Sequence, residues 1–234
     1  MRLLLFDIDG TLLRGGGVGI RSSESAFSEL FSAKAAWGDL IPDGKTDPLI
    51  FQEIAERVIG RQLTDPELQN ISDRYLHHFE REISDEISDA TNFRVLPGVV
   101  DLLAALDRSG EFLIGLETGN LRRAAELKLR RAGLEHYFQT GGFACDSPQR
   151  SEIIRLAIER ASKVAAKRFD PATVVVIGDA PQDVSAAKAN GCRVVSVATG
   201  RHDANSLSQL MPDAVLESLE GVHAVRALLE RLSS

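Results

Sequence analysis

The chain has 234 residues, 44% of them hydrophobic and 26% charged, with a formal net charge of -7. That balance belongs to an ordinary globular protein, long enough for one large domain or for a core carrying a smaller inserted one. The acidic excess argues against nucleic acid or an anionic membrane surface as the main partner, and no apolar run approaches the ~20 residues of a membrane helix.

The N-terminus opens on a short apolar run, Leu3 to Phe6, that leads into Asp7-Ile-Asp-Gly-Thr11. The run has the length of a strand buried on both faces, and Gly10-Thr11 is a natural stop. Asp7 and Asp9 are two apart, so on an ideal strand they share a face. Such a pair of carboxylates suits a bound cation or a proton-transfer task. One Arg and a very short apolar run do not make a signal peptide, so a reducing cytoplasm is the expected compartment. Gly15 to Gly19 holds four glycines in five positions and reads as a flexible loop beside the end of this strand.

From Ser22 to about Leu96 the pattern is helical, with no convincing strand. Ser22 or Ser23 caps a first helix carrying Ala26, Phe27, Leu30 and Phe31. Asp47 caps a second, with Pro48 at its first position and Gly60 at its end. A third follows Thr64-Asp-Pro-Glu67. After Pro97-Gly98, strands and helices alternate. Helices are expected at 99–106, 121–131, 151–166, 181–190 and 222–232. Strands are expected at 111–116, near Tyr137-Phe138, at 174–177, 193–198 and 214–216. Alternation of this kind predicts a parallel sheet wrapped by helices, and the first strand must join it. The fold class is therefore α/β: a Rossmann-like core of residues 1–14 and 97–234, with an all-helical domain of residues 15–96 inserted. Cys145 and Cys192 form no CxxC pattern, which argues against a disulfide framework or a zinc site; both read as small buried residues.

In open parallel sheets, ligands sit outside the carboxyl ends of the strands. Asp7 and Asp9 follow the first strand, Thr118-Gly119-Asn120 the second, and Gly178-Asp179 with Asp183 the Val174 run, while Arg150 stands before a helix. Carboxylates, a hydroxyl, an amide and a fixed cation at one edge suit a magnesium-bound phosphoryl group.

Asp7-Ile-Asp-Gly-Thr11, Thr118-Gly-Asn120 and Gly178-Asp-Ala-Pro-Gln-Asp183 resemble, in order and spacing, the motifs of the haloacid dehalogenase superfamily. The helical insertion resembles the cap of its phosphoglycolate phosphatase and β-phosphoglucomutase branch. The resemblance implies that Asp7 is the nucleophile forming an aspartyl-phosphate and Asp9 the general acid and then base, its backbone carbonyl also on the metal. It implies that Thr118 binds the transferring phosphoryl group with the Gly119 and Asn120 amides. It implies a Mg²⁺ ion on Asp7, Asp9, Asp179 and Asp183. The superfamily's third motif is usually Lys. No Lys lies between Lys128 and Lys163, and Arg150 takes that role, bridging Asp7 and a phosphate oxygen.

Glu117, directly before Thr118, would oppose anion binding unless strand alternation turns it aside. Helical caps of this branch hold a loop over the site; here that loop is 42–47, with Lys45 and Thr46 as substrate contacts. An acid/base carboxylate at Asp9 favours phosphoryl transfer over carbon–halogen cleavage. The expected activity is Mg²⁺-dependent hydrolysis of a small phosphorylated metabolite. A phosphomutase of the β-phosphoglucomutase kind is the alternative, and a non-catalytic binding protein a more distant one.

Overall fold

The computed structural model describes residues 1–32, 37–38, 40–84 and 93–234. The parts of the expected helical segment at 33–36, 39 and 85–92 lie outside them.

Strand β1 (Arg2–Phe6) is the centre of the molecule. Leu3, Leu4, Leu5 and Phe6 have no exposed surface, as a strand covered on both faces requires. The other sheet strands are β4 (Phe112–Glu117), β5 (Thr140–Gly142), β6 (Val175–Gly178), β7 (Arg193–Val197) and β8 (Ala214–Leu216). Six strands run parallel in the order β5-β4-β1-β6-β7-β8. Leu4 is in register with Ile114 of β4 and Val175 of β6. The period of two along β1 divides its side chains between two layers. Leu4 and Phe6 pack with Leu102 and Leu106 of α4 (Val99–Ser109) and Leu229 of α9 (Val222–Leu232). Leu3 and Leu5 pack with Ile154 and Ala157 of α6 (Arg150–Val164) and Val184 of α7 (Pro181–Ala189). The α/β, Rossmann-like expectation is met, and the short terminal strands β5 and β8 limit the exposed edges.

The remaining helices of the N-terminal half are α1 (Val18–Phe31), α2 (Asp47–Ile59) and α3 (Asp65–Ser84). Their apolar faces share a core of Phe27, Phe51, Ile54, Ile71 and Phe79. That core continues onto Leu121 and onto Ala124 and Leu127 of α5 (Arg122–Ala132), so the helical segment is seated on the sheet's own layer.

Several expectations need correction. Phe93–Val95 is a strand, β3, paired antiparallel with β2 (Leu13–Gly15). A three-residue ribbon carries too short a pattern to read against a helical background. The glycine run is not a free loop: Gly15 ends β2, and α1 begins at Val18, ahead of Ser22 and Ser23, which are buried. Ser23 donates to Ile20 O at 2.7 Å and accepts from Trp37 Nε1 at 2.9 Å instead of capping. Tyr137 closes a short 3-10 helix, and the strand lies later, at Thr140–Gly142. A further helix, α8 (Ala204–Ser208), was not expected. Cys192 is buried, but Cys145 is exposed.

Candidate active site

The order β4-β1-β6 sets three strand ends side by side, and each motif follows one of them. β1 stops at Phe6, so Asp7 and Asp9 are not strand neighbours on one face; they turn to different partners. Asp7 is buried, its N–H donating to Ile177 O at 2.9 Å. Gly10 makes the turn with φ of +84°. A Cβ there would lie 2.3 Å from Asp179 Oδ2, so only glycine admits both the turn and that carboxylate.

Asp7, Asp179 and Asp183 each bring a carboxylate oxygen within 4.8 Å of the others. Burial holds the Asp7 and Asp179 carboxyls well above the usual carboxylate range, and neighbouring acids push the same way: Asp183 and Asp9 on Asp7, Asp183 and Asp7 on Asp179. Asp183 Oδ2 accepts from Ala180 N at 2.9 Å, while its buried Oδ1 has no hydrogen bond. Three hard oxygen donors with excess negative charge fit a divalent cation. The carboxylate of Asp9 is not among them.

Arg150 opens α6 and is buried. Its Nη2 is 2.9 Å from Asp7 Oδ1 and 2.7 Å from Asp183 Oδ1, the latter a close ion contact off the hydrogen-bond direction. Glu117, fully buried at the end of β4, grips the same guanidinium with Oε2 3.1 Å from Nε and Oε1 3.3 Å from Nη2. Glu117 therefore holds Arg150 and is matched by its charge. Burial still pushes the Glu117 carboxyl up, against the pull of Arg150.

Thr118 is also fully buried, and its Oγ1 accepts from Asn120 Nδ2 at 2.8 Å and from Asn120 N at 3.3 Å. Asn120 Nδ2 donates as well to Asp9 Oδ2 at 2.8 Å. A residue with no assigned role in the sequence completes this group. Lys128, buried on α5, donates to Asp9 Oδ2 at 2.5 Å and to Asn120 Oδ1 at 2.6 Å. The signal was a charge on an apolar face: Lys128 is three and four residues from buried Ala125 and Ala124.

Part of this group borders a cavity of about 230 Å³ between the sheet edge and the helical segment; Glu117, Thr118 and Asp183 are fully buried and not on its wall. Asp7, Asp9, Asn120, Lys128, Arg150 and Asp179 line it from the sheet side, and Val18, Ile20, Ile50, Phe51 and Tyr75 from the helices. Lys45 is on its wall, with Nζ paired to Glu53. Thr46, expected beside it, is buried, with its hydroxyl donated to Pro148 O at 3.2 Å. Asp47 is inside α2 and does not cap it; its Oδ2 instead accepts from Leu121 N at 2.7 Å, at the start of α5. Gly119 O accepts from Asp47 N at 2.7 Å, and a Cβ on Gly119 would lie 2.3 Å from Lys45 O. The two loops interlock over the site.

A family model described as haloacid dehalogenase-like hydrolase matches residues 1–191. A phosphoglycolate phosphatase of Synechococcus elongatus is 30% identical over 218 residues, 93% of each chain. A phosphoglycolate phosphatase of Haemophilus influenzae is 25% identical over 92% of this chain and 94% of that one. A solved hydrolase from Pseudomonas syringae, 20% identical, superposes over 100% of both chains with a TM-score of 0.72, which shows the shared fold. With its family model spanning most of its length and the first of these relatives covered almost end to end, the chain belongs to the haloacid dehalogenase-like hydrolases.

Proposed function

We propose that the chain hydrolyses a small phosphomonoester through an aspartyl-phosphate on Asp7, with Mg²⁺ as cofactor. That it is a phosphatase agrees with its family and with relatives of that activity. The observation that carries the mechanism is the pairing at Asp7. A buried carboxylate on the cavity wall is oriented by Arg150 at 2.9 Å and grouped with two further acids.

In this reading Asp7 attacks phosphorus, forming a P–O bond as the bond to the leaving alcohol oxygen breaks. Asp9 gives that oxygen its proton. Asp9 then takes a proton from water, which attacks the aspartyl-phosphate, releases inorganic phosphate and restores Asp7. Both acceptor positions of Thr118 Oγ1 are used by Asn120, so its own O–H remains to donate to a phosphoryl oxygen. Asp7, Asp179 and Asp183 would hold the Mg²⁺, with the Asp9 backbone carbonyl as the resemblance implies; the ion would neutralise phosphoryl charge. Residues 15–96 act as a cap, and a cavity of about 230 Å³ limits the leaving group to a small metabolite. Lys45, on the wall, is the cap residue closest to the expected substrate role.

The test is a panel of phosphomonoesters, phosphoglycolate and sugar phosphates among them, with p-nitrophenyl phosphate as a generic substrate. Wild type with Mg²⁺ is expected to release inorganic phosphate, and folded Asp7→Asn to release none. A folded wild type that hydrolyses no member, or an active Asp7→Asn, overturns the reading. Interconversion of sugar phosphates without net release supports the phosphomutase instead.

A further inference from the structure

We propose that Lys128 is the positioning residue for Asp9, fixing the carboxylate that moves the proton; the inference rests on the phosphatase reading above. A buried ammonium is costly unless a charge and hydrogen bonds compensate it. The Lys128 side chain is only 8% exposed, and its compensation comes from Asp9 Oδ2 at 2.5 Å and Asn120 Oδ1 at 2.6 Å. The Phe79 ring lies 5.8 Å from the same nitrogen.

Asp9 needs such a partner. It sits past the end of β1, bridged to Leu13 just before the Gly10 turn, with its side chain 45% exposed on the cavity side. No strand or helix restrains its rotamer. The bonds that do are those to Oδ2, from Lys128 Nζ and from Asn120 Nδ2.

Lys128 also settles the orientation of Asn120. The two ends of an amide have nearly the same shape, so the hydrogen-bond network decides which way it faces. A lysine can only donate. Its contact therefore turns Oδ1 of Asn120 toward α5 and sends Nδ2 to Asp9 and Thr118. Lys128, Asp9 and Asn120 form a closed ring of hydrogen bonds, tied to the phosphoryl-binding hydroxyl. The buried cations divide the acids between them. Arg150 holds Asp7, Glu117 and Asp183, and Lys128 holds Asp9.

A residue that acts through Asp9 matters most when the leaving group needs a proton. Lys128→Met is compared with wild type on an alkyl phosphate and on p-nitrophenyl phosphate, whose phenolate leaves unassisted. The expected loss in kcat/KM, which reports formation of the aspartyl-phosphate, is about 100-fold for the alkyl ester and under about tenfold for the aryl ester. In an Asp9→Asn background, Lys128→Met is expected to add less than about twofold. Equal losses on the two esters, or a full Lys128 effect without Asp9, overturn the assignment and make Lys128 structural or substrate-binding. A wild type that hydrolyses neither ester overturns the phosphatase reading and the assignment with it. Should Lys128→Met unfold, Lys128→Arg keeps the buried charge and carries the same comparison. Its larger planar head displaces Asp9, so the alkyl-selective loss is expected to persist, and its absence overturns the proposal.

Discussion

Glu117 Oε2 lies 3.1 Å from Arg150 Nε, and the two side chains are among the most deeply buried charges in the molecule. Glu117 thus serves the site without facing a phosphate: it locks the guanidinium that contacts Asp7. Glu117→Gln keeps the shape and one acceptor but removes the charge that fixes Arg150. Its kcat is expected to fall about 10–100-fold, the usual cost of losing a group that orients a functional side chain. Arg150→Lys is expected to cost at least as much, since a point ammonium cannot span Asp7, Glu117 and Asp183. Steady-state kinetics alongside thermal melts check this. Full activity in either variant counts against the arrangement.

Three buried acids without a cation repel one another, so metal binding and folding are linked. Excess Mg²⁺ is expected to stabilise the wild type by about 2.7 kcal/mol at a hundredfold excess over Kd. For a chain of this size that is roughly 5–10 °C in Tm. Asp183→Asn is expected to lose most of the shift, and chelation to remove both the shift and the activity. Differential scanning calorimetry with and without Mg²⁺ reads the effect. A wild-type Tm unmoved by the ion argues against the cluster as a metal site.

Asp47 offers a pH test on a carboxyl that is not a member of the three-acid cluster. It lines the cavity, and the surrounding protein desolvates its carboxyl, pushing it up to about 6 despite Lys128 and the Leu121 N–H. An acid raised in the folded state binds its proton more tightly there than in the unfolded chain. Its contribution is therefore most favourable at low pH and is lost as pH rises from the ordinary value of 3.8 through about 6. Asp47→Asn keeps an acceptor for Leu121 N and cannot ionise. Its Tm relative to wild type is expected to rise between those two pH values and then level off. Melts in Mg²⁺-containing buffers across that range measure the difference. A difference that is flat with pH contradicts a desolvated carboxyl at Asp47.

The sequence by itself determined most of the sheet and which side chains follow its strand ends. Four consecutive buried residues in β1, the Val-rich β6 and the regular alternation after Pro97 follow from local periodicity, and local periodicity is legible in one dimension. The acids and the hydroxyl after β1, β4 and β6 are legible for the same reason, because each follows a strand end. Only the tertiary structure decided the rest. The β2–β3 ribbon joins residues about eighty apart through three-residue strands, which carry no pattern of their own. Asp7 and Asp9 parted because β1 ends a residue before the first of them. Thr46 turned inward to Pro148, and Asp47 reached across to α5, because the two loops interlock. Glu117 looked like a charge out of place before the phosphate-binding hydroxyl, and Lys128 had no assigned role. Each had a partner distant in sequence, Arg150 for one and Asp9 for the other, and a buried charge acquires its meaning only from the partner that folding brings to it.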